Sequence, residues 1–257
     1  MQKLIDSGQA KRSPSIATPQ PQQTGRSSEL AGERIPLNNQ RRVIAERLSQ
    51  SMFTAPHYAL RSAAIVDELV NLRQRVNQNR EDRVSLNAFI IKLTAQALVH
   101  HPMIYAAWGG DCLIVPPQID IALAVALDDG LLTPVIRDCP HKSVTEIDSE
   151  LRDLIARARE KKLAPEEFTG ACFTITNLGS FDIDEFTAII NPPGSAILAI
   201  GAIRKKPWVD ASGTGIAIRN VTQLTLNCDH RVIDGAVGAS FLKDLKAVFE
   251  EPSLALA

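Results

Sequence analysis

From Arg34 onward the apolar positions recur at intervals that separate helices from strands. Val43, Ile44 and Leu48 make one stripe of a helix that Asn38 or Asn39 caps, running to Met52 before Pro56 ends it. Residues 57–66 read as a strand, after which Asp67 caps a helix carrying Leu69, Val70, Leu72 and Val76, with Arg73 and Arg75 on its polar side. Ser85 opens a further helix, with Leu86, Phe89, Ile90, Leu93 and Ala97 at helical spacing, and Pro102 stops it. Strands follow at 112–115, 119–127 and 131–137, the last two joined by a hairpin turn at Asp128, Asp129 and Gly130. Ser143 and Glu146 form a capping box for a long amphipathic helix through Lys162. Beyond Pro165 come strands at 171–176, 189–190 and 196–203. A last hairpin runs from Trp208 through a turn at 212–215 to Asn227, and a helix over 235–250 closes the pattern. No internal repeat is found. The mixed order predicts an α/β protein of the α+β two-layer kind, a mixed β-sheet flanked by helices in a single domain over 35–257.

Residues 1–34 differ in kind. They hold no aromatic residue and are rich in Gln, Ser, Pro, Ala and Gly, too polar to offset the entropy of ordering. The expectation is a flexible N-terminal linker, with a short helix over 1–10 as the alternative. They lack the apolar stretch of a secretory signal. No apolar run in the chain approaches the ~20 residues that span a bilayer, so no membrane partner is expected.

Composition adds bounds. At 257 residues and 45% hydrophobic content the chain is long and apolar enough for a substantial core. Its 28 basic and 29 acidic side chains leave a net charge of −1, so nothing draws it to nucleic acid. The four cysteines (Cys112, Cys139, Cys172 and Cys228) are widely spaced, which suggests neither a disulfide framework nor a zinc site. Reduced thiols, no metal and a cytoplasmic setting (a mitochondrial matrix as the alternative) are expected.

Among the five histidines, His100 and His101 sit where a helix ends and suit its dipole, a structural role. His141 follows Cys-Pro in a polar loop, and His57 reads as a core or interface residue at a strand's start. His230 lies between a strand and a helix, with Asp234 and Gly235 following in a turn. From the residues alone it is either a general base or a satisfied structural histidine. A Cys228–His230 nucleophile pair is disfavoured, since alternate strand positions stand ~6–7 Å apart. Gly213-Thr-Gly215 leads into a strand, so it is a hairpin loop and not a phosphate cradle.

Taken together the motifs resemble a known family. Asp229-His-Arg-Val-Ile-Asp-Gly235 looks like the signature of the dihydrolipoyl acyltransferases, the core-forming subunits of 2-oxo acid dehydrogenase complexes. Arg41-Arg-Val-Ile-Ala-Glu-Arg47, Ala55-Pro-His57, Asp129-Gly-Leu-Leu-Thr-Pro-Val-Ile-Arg137 with Lys142 and Ser143, Phe173-Thr-Ile-Thr-Asn-Leu-Gly-Ser-Phe181, Ile190-Asn-Pro-Pro193 and Ala196-Ile-Leu-Ala-Ile-Gly201 resemble further family segments in the same order. The resemblance covers about 34–251. It implies the chloramphenicol acetyltransferase fold and a homotrimer, built in many members into a cubic twenty-four-mer or dodecahedral sixty-mer core. A net charge of −1 offers little repulsion against such association.

The resemblance also implies acyl transfer between dihydrolipoamide and coenzyme A thiols. A thiol near pKa 8.5 is mostly protonated at neutral pH and needs a base, the role His230 takes by its match to the family. The tetrahedral oxyanion needs a donor, and the family's serine position is Thr176 here, a departure that keeps the hydroxyl but restricts χ1. Asp234 matches the second catalytic position and is expected to orient the loop by an ion pair with Arg42 or Arg73. The Asn191-Pro-Pro193 and Asn177-Leu-Gly179 versions resemble those of acetyltransferases. Family members carry a lipoyl domain with an Asp-Lys pair and a subunit-binding domain. No Asp-Lys pair occurs here, so a lipoyl group on another domain or chain is the expected acyl donor, and other complex subunits would lack their usual docking domain. The alternatives are a non-catalytic oligomeric scaffold, or coenzyme A-dependent transfer to a non-lipoyl acceptor.

Overall fold

In the computed structural model the described residues are 33, 35–127, 130–210 and 213–256. The linker expected at 1–34, the alternative helix at 1–10 and the turn residues Asp128 and Asp129 fall almost wholly outside them. Of the two asparagines that could cap the first helix, Asn38 takes the role: its side chain accepts from Arg41 N at 2.7 Å, and α1 (Asn39–Thr54) follows. Next come β1 (His57–Ile65), α2 (Asp67–Asn77) and α3 (Leu86–Val99), the last capped by Ser85. A short pair, β2 (Ala107–Trp108) and β3 (Leu113–Ile114), precedes β4 (Ile121–Leu127), β5 (Gly130–Leu132) and β6 (Val135–Ile136). The Ser143–Glu146 capping box opens α4 (Val144–Arg159). The chain ends through β7 (Phe173–Asn177), β8 (Ala196–Ile200), β9 (Arg204–Val209), β10 (Ile216–Asp229), α5 (Gly235–Glu250) and α6 (Ser253–Leu256).

The main sheet runs β1-β10-β8-β7-β4-β5, with β6 also on β4 and β9 on β10. Among the described residues only β4–β7 and β7–β8 are parallel, so the sheet is mixed as expected. Alternation along each strand divides its side chains between two faces. Leu123, Phe173, Ile175, Leu198, Leu224, Leu226 and Cys228 face the helices and form the core with Phe89, Leu93, Phe241, Leu245 and Phe249. The opposite face carries mostly small and polar residues, Ala122, Ala124, Thr174, Thr176, Ala199, Thr225 and Asn227, together with Ile197.

Three local readings differ from the sequence pattern. Asp67 does not cap α2. Its carboxylate accepts from the backbone and side-chain amides of Asn220 at 2.9 and 2.7 Å, tying the helix to β10. The strand at 131–137 is broken by Pro134, which offers no N–H and whose carbonyl accepts from Leu123 N at 3.0 Å. Residues 189–190 form no strand. Ile190 N donates to His57 Nε2 at 3.1 Å and Ile190 O accepts from Ser51 Oγ at 2.6 Å, so side chains satisfy the backbone in place of a ladder. The segment before them passes hard against the end of β8, where a Cβ at Gly201 would stand 1.8 Å from Asp184 O. Among the described residues no helix is long and apolar enough to cross a membrane.

Candidate active site

The long strand β10 delivers its last residue, Asp229, opposite His57 of β1, and the chain then turns sharply. Val232 N and Ile233 N donate back to Asp229 O at 3.0 and 2.9 Å. The Asp229 carboxylate is buried and takes three contacts from the Arg231 guanidinium, at 3.0, 3.1 and 2.6 Å. Arg231 also lies over the Trp108 ring, 5.0 Å from its centroid. A buried carboxylate needs such a partner, and this ion pair brackets His230 from both sides in sequence. His230 N donates to Pro56 O at 3.0 Å, while its imidazole is exposed. Ile233 is fully buried and anchors the turn, after which the Asp234 side chain accepts from Val237 N at 3.0 Å to start α5.

Asp234 therefore acts as a helix cap. Among the described residues the expected ion pair of Asp234 with Arg42 or Arg73 is not formed: Arg73 instead donates to Val84 O at 3.2 Å. The reason is local, since a carboxylate at the first turn of a sixteen-residue helix meets unpaired N–H groups before any side chain.

Thr176 occupies the middle of the sheet. It lies opposite Ala124 on one side and Ala199 on the other, and is 8% exposed. Among the described residues no group of the chain hydrogen-bonds its hydroxyl, while the strand end is pinned: Asn177 Nδ2 donates to Asn87 Oδ1 at 2.8 Å, and Asn177 Oδ1 accepts from Gly179 N at 2.9 Å. A cavity of about 420 Å³ opens beside this end, lined by Asn87, Asn177, Gly179, Ile200 and Thr222 among others. The register sets Thr176 level with Ala199 and Thr225. His230 is five residues beyond Thr225 and two strands across, on the order of 20 Å from Thr176 by strand geometry. One chain does not bring the two together.

Three of the remaining histidines have structural partners. His101 bonds Asp244 at 2.9 Å and meets the edge of Phe241, and His141 bonds Asp138 at 2.7 Å. His57 donates from Nδ1 to Ala55 O at 2.7 Å and accepts at Nε2, a neutral bridge fixed by its partners. Cys228 is fully buried and burial pushes its thiol up to about 12, which makes it a core residue and no nucleophile. What the sequence reading missed is Tyr58, whose ring lies 4.7 Å from that of His230 and whose hydroxyl donates to Asp234 O at 2.8 Å. Nothing in the spacing marks it, because it is 172 residues from His230 and meets it only through strand pairing.

The architecture is that of chloramphenicol acetyltransferase, one structure of which aligns at a TM-score of 0.54 and 14% identity over 80% of this chain and 94% of that one. The sequence profile of the 2-oxoacid dehydrogenases acyltransferase (catalytic domain) family matches residues 29–257, and the chain belongs to that family. It is 44% identical over 225 residues to the dihydrolipoyllysine-residue acetyltransferase component of the pyruvate dehydrogenase complex of Rickettsia bellii, covering 86% of this chain and 53% of the relative. A mitochondrial counterpart from Schizosaccharomyces pombe is 41% identical, with 86% and 46% covered. The chain thus spans about half the length of the curated relatives it matches. Two solved structures align at a TM-score of 0.84, each covering 90% of this chain and 96% of its own. One, 31% identical, is the cubic core of the pyruvate dehydrogenase multienzyme complex. The other, 30% identical, is the dihydrolipoamide acetyltransferase of Azotobacter vinelandii, in which the roles of a serine, a histidine and an asparagine in the catalytic mechanism were investigated.

Proposed function

We propose that this chain is the catalytic core of a dihydrolipoamide acetyltransferase, moving an acetyl group between the thiols of dihydrolipoamide and coenzyme A. His230 takes the proton from the coenzyme A thiol, and the sulfur attacks the carbonyl carbon of acetyl-dihydrolipoamide. The carbonyl oxygen becomes an oxyanion that accepts a hydrogen bond from Thr176 Oγ1. Collapse of the intermediate breaks the bond to the dihydrolipoamide sulfur, which receives the proton back from the imidazolium, so the base is restored. Asp234 holds the His230 turn by capping α5. In the Azotobacter relative the histidine and asparagine under study stand four positions apart, as His230 and Asp234 do.

The observation that carries the reading is the separation of His230 from Thr176. With ~20 Å between them in one chain, a complete site forms only where His230 of one copy faces Thr176 of another. Closed threefold symmetry supplies three equivalent heterologous interfaces of that kind, and the similarity to a cubic core supports trimers assembled further. The compartment proposed is the bacterial cytoplasm, in keeping with the bacterial relatives. The acyl donor would be a lipoyl group carried on a domain outside the residues described.

Complementation tests this. His230→Ala and Thr176→Val, each inactive alone, should regain part of the activity when co-expressed, because some mixed interfaces join an intact His230 to an intact Thr176. A fully active monomer by light scattering, or no recovery in mixed trimers of proven composition, would reject the shared site.

A further inference from the structure

The base proposed above has an exposed imidazole, and among the described residues no side-chain hydrogen bond holds it. What it rests against is the ring of Tyr58, with centroids 4.7 Å apart and planes tilted by 48°. Tyr58 is the second residue of β1, paired with Cys228 of β10, so it points to the helix side of the sheet. Its hydroxyl donates to Asp234 O at 2.8 Å, the carbonyl that also accepts from Gly238 N at 3.0 Å in the first turn of α5. A carbonyl oxygen has two lone pairs and serves both donors. The helix comes close here because residue 238 lacks a side chain: a Cβ would stand 2.9 Å from Tyr58 Oη and 2.9 Å from Leu60 Cδ1. Burial holds the phenol protonated, so the donor role is steady.

We infer that Tyr58 is a positioning residue for the acyl-transfer reaction, its ring setting the orientation of the His230 imidazole and its hydroxyl clamping the turn that follows to β1. The ring removes rotamers that would aim the imidazole away from the neighbouring subunit's hydroxyl. The hydroxyl fixes the carbonyl at which α5 begins. The two functions sit on one rigid side chain anchored in a nine-residue strand at the sheet edge. This is the economical way to hold a base whose imidazole is exposed, since pre-organisation comes from the supporting shell and not from the base.

The inference rests on the reading of His230 as the base, and its test separates the two. Tyr58→Phe keeps the flat face and loses only the hydroxyl, Tyr58→Leu loses both, and Tyr58→Met fills most of the volume without a flat face. Steady-state kinetics with acetyl-dihydrolipoamide and coenzyme A should show kcat falling by about 10–100-fold in the Leu and Met variants, the scale of a misoriented catalytic group. Tyr58→Phe should recover kcat to within about fivefold of the parent, the size of one neutral hydrogen bond. KM for both thiols should stay within about twofold throughout, since a positioning residue acts through the imidazole and leaves substrate binding alone. Melting curves and trimer size measured alongside identify any variant that fails to fold, and the Met and Phe variants then carry the comparison. Unchanged kcat in Leu or Met, equal losses in Phe and Met, or a loss carried by KM would each overturn the positioning role. If His230→Ala is itself fully active, the reading of the base fails first. If His230→Ala is inactive and Tyr58→Met is not impaired, the inference about Tyr58 fails alone.

Discussion

The two halves of the proposed site are held in opposite ways. Thr176 sits in the middle of a sheet, with a strand on each side and core phenylalanine and isoleucine at alternate positions of its own strand. Its backbone is fixed by the ladder, and its hydroxyl needs no further support. His230 sits just past a strand end, exposed, where no ladder reaches. There the burden passes to side chains: the Asp229–Arg231 ion pair, the buried Ile233, the Asp234 cap and Tyr58. An oxyanion donor gains from not moving, because its stabilisation depends on a fixed dipole. A base must meet a substrate thiol that arrives from solvent, so it has to stand outside the core and borrow rigidity from its neighbours.

The largest expected effect is on the exposed side. His230→Ala should lower kcat by roughly 10²–10⁴-fold, the range for a lost general base, with little change in melting temperature. Near-parental turnover in an acyl-transfer assay would remove His230 from the chemistry. On the buried side, Thr176→Val keeps shape and loses the hydroxyl, and should cost about 10²–10³-fold. Thr176→Ser should match or exceed the parent, because it keeps the donor and frees χ1. Equal activity in the Val and Ser variants would show that the ladder positions nothing catalytic there. The smallest effect expected is at Asp234. Losing the cap in Asp234→Ala should cost ~1 kcal/mol, with Asp234→Asn close to the parent. Calorimetry reads this as a drop of ~2–4 °C, and equal stability of the two variants would mean that the cap is not what holds the turn.

Much of this was legible in advance. The caps at Asn38, Ser85 and Ser143, the helix after Asp234 and the mixed two-layer sheet follow from local chemistry: a short polar side chain three residues before a free N–H, or apolar residues at a helical or alternating period. These interactions join neighbours in sequence, and so are written there. The motif at 229–235 likewise lies in one stretch, and its resemblance to the family's signature singles out His230 and Asp234 as candidates.

Tertiary structure decided the rest, wherever a residue had a choice of partners distant along the chain. Asp67 had the chemistry of a cap but met Asn220 instead. Asp234 had the charge for an arginine but met the open N–H of Val237. Residues 189–190 had the apolar character of a strand, yet Ser51 and His57 took their backbone groups. Tyr58 carried no local signal at all, because its contacts with His230 and Asp234 exist only once β1 pairs with β10. The distance between Thr176 and His230 is of the same kind. Sequence gives each residue its chemistry, but a register summed over three strands sets how far apart they stand, and the proposed shared site rests on that separation.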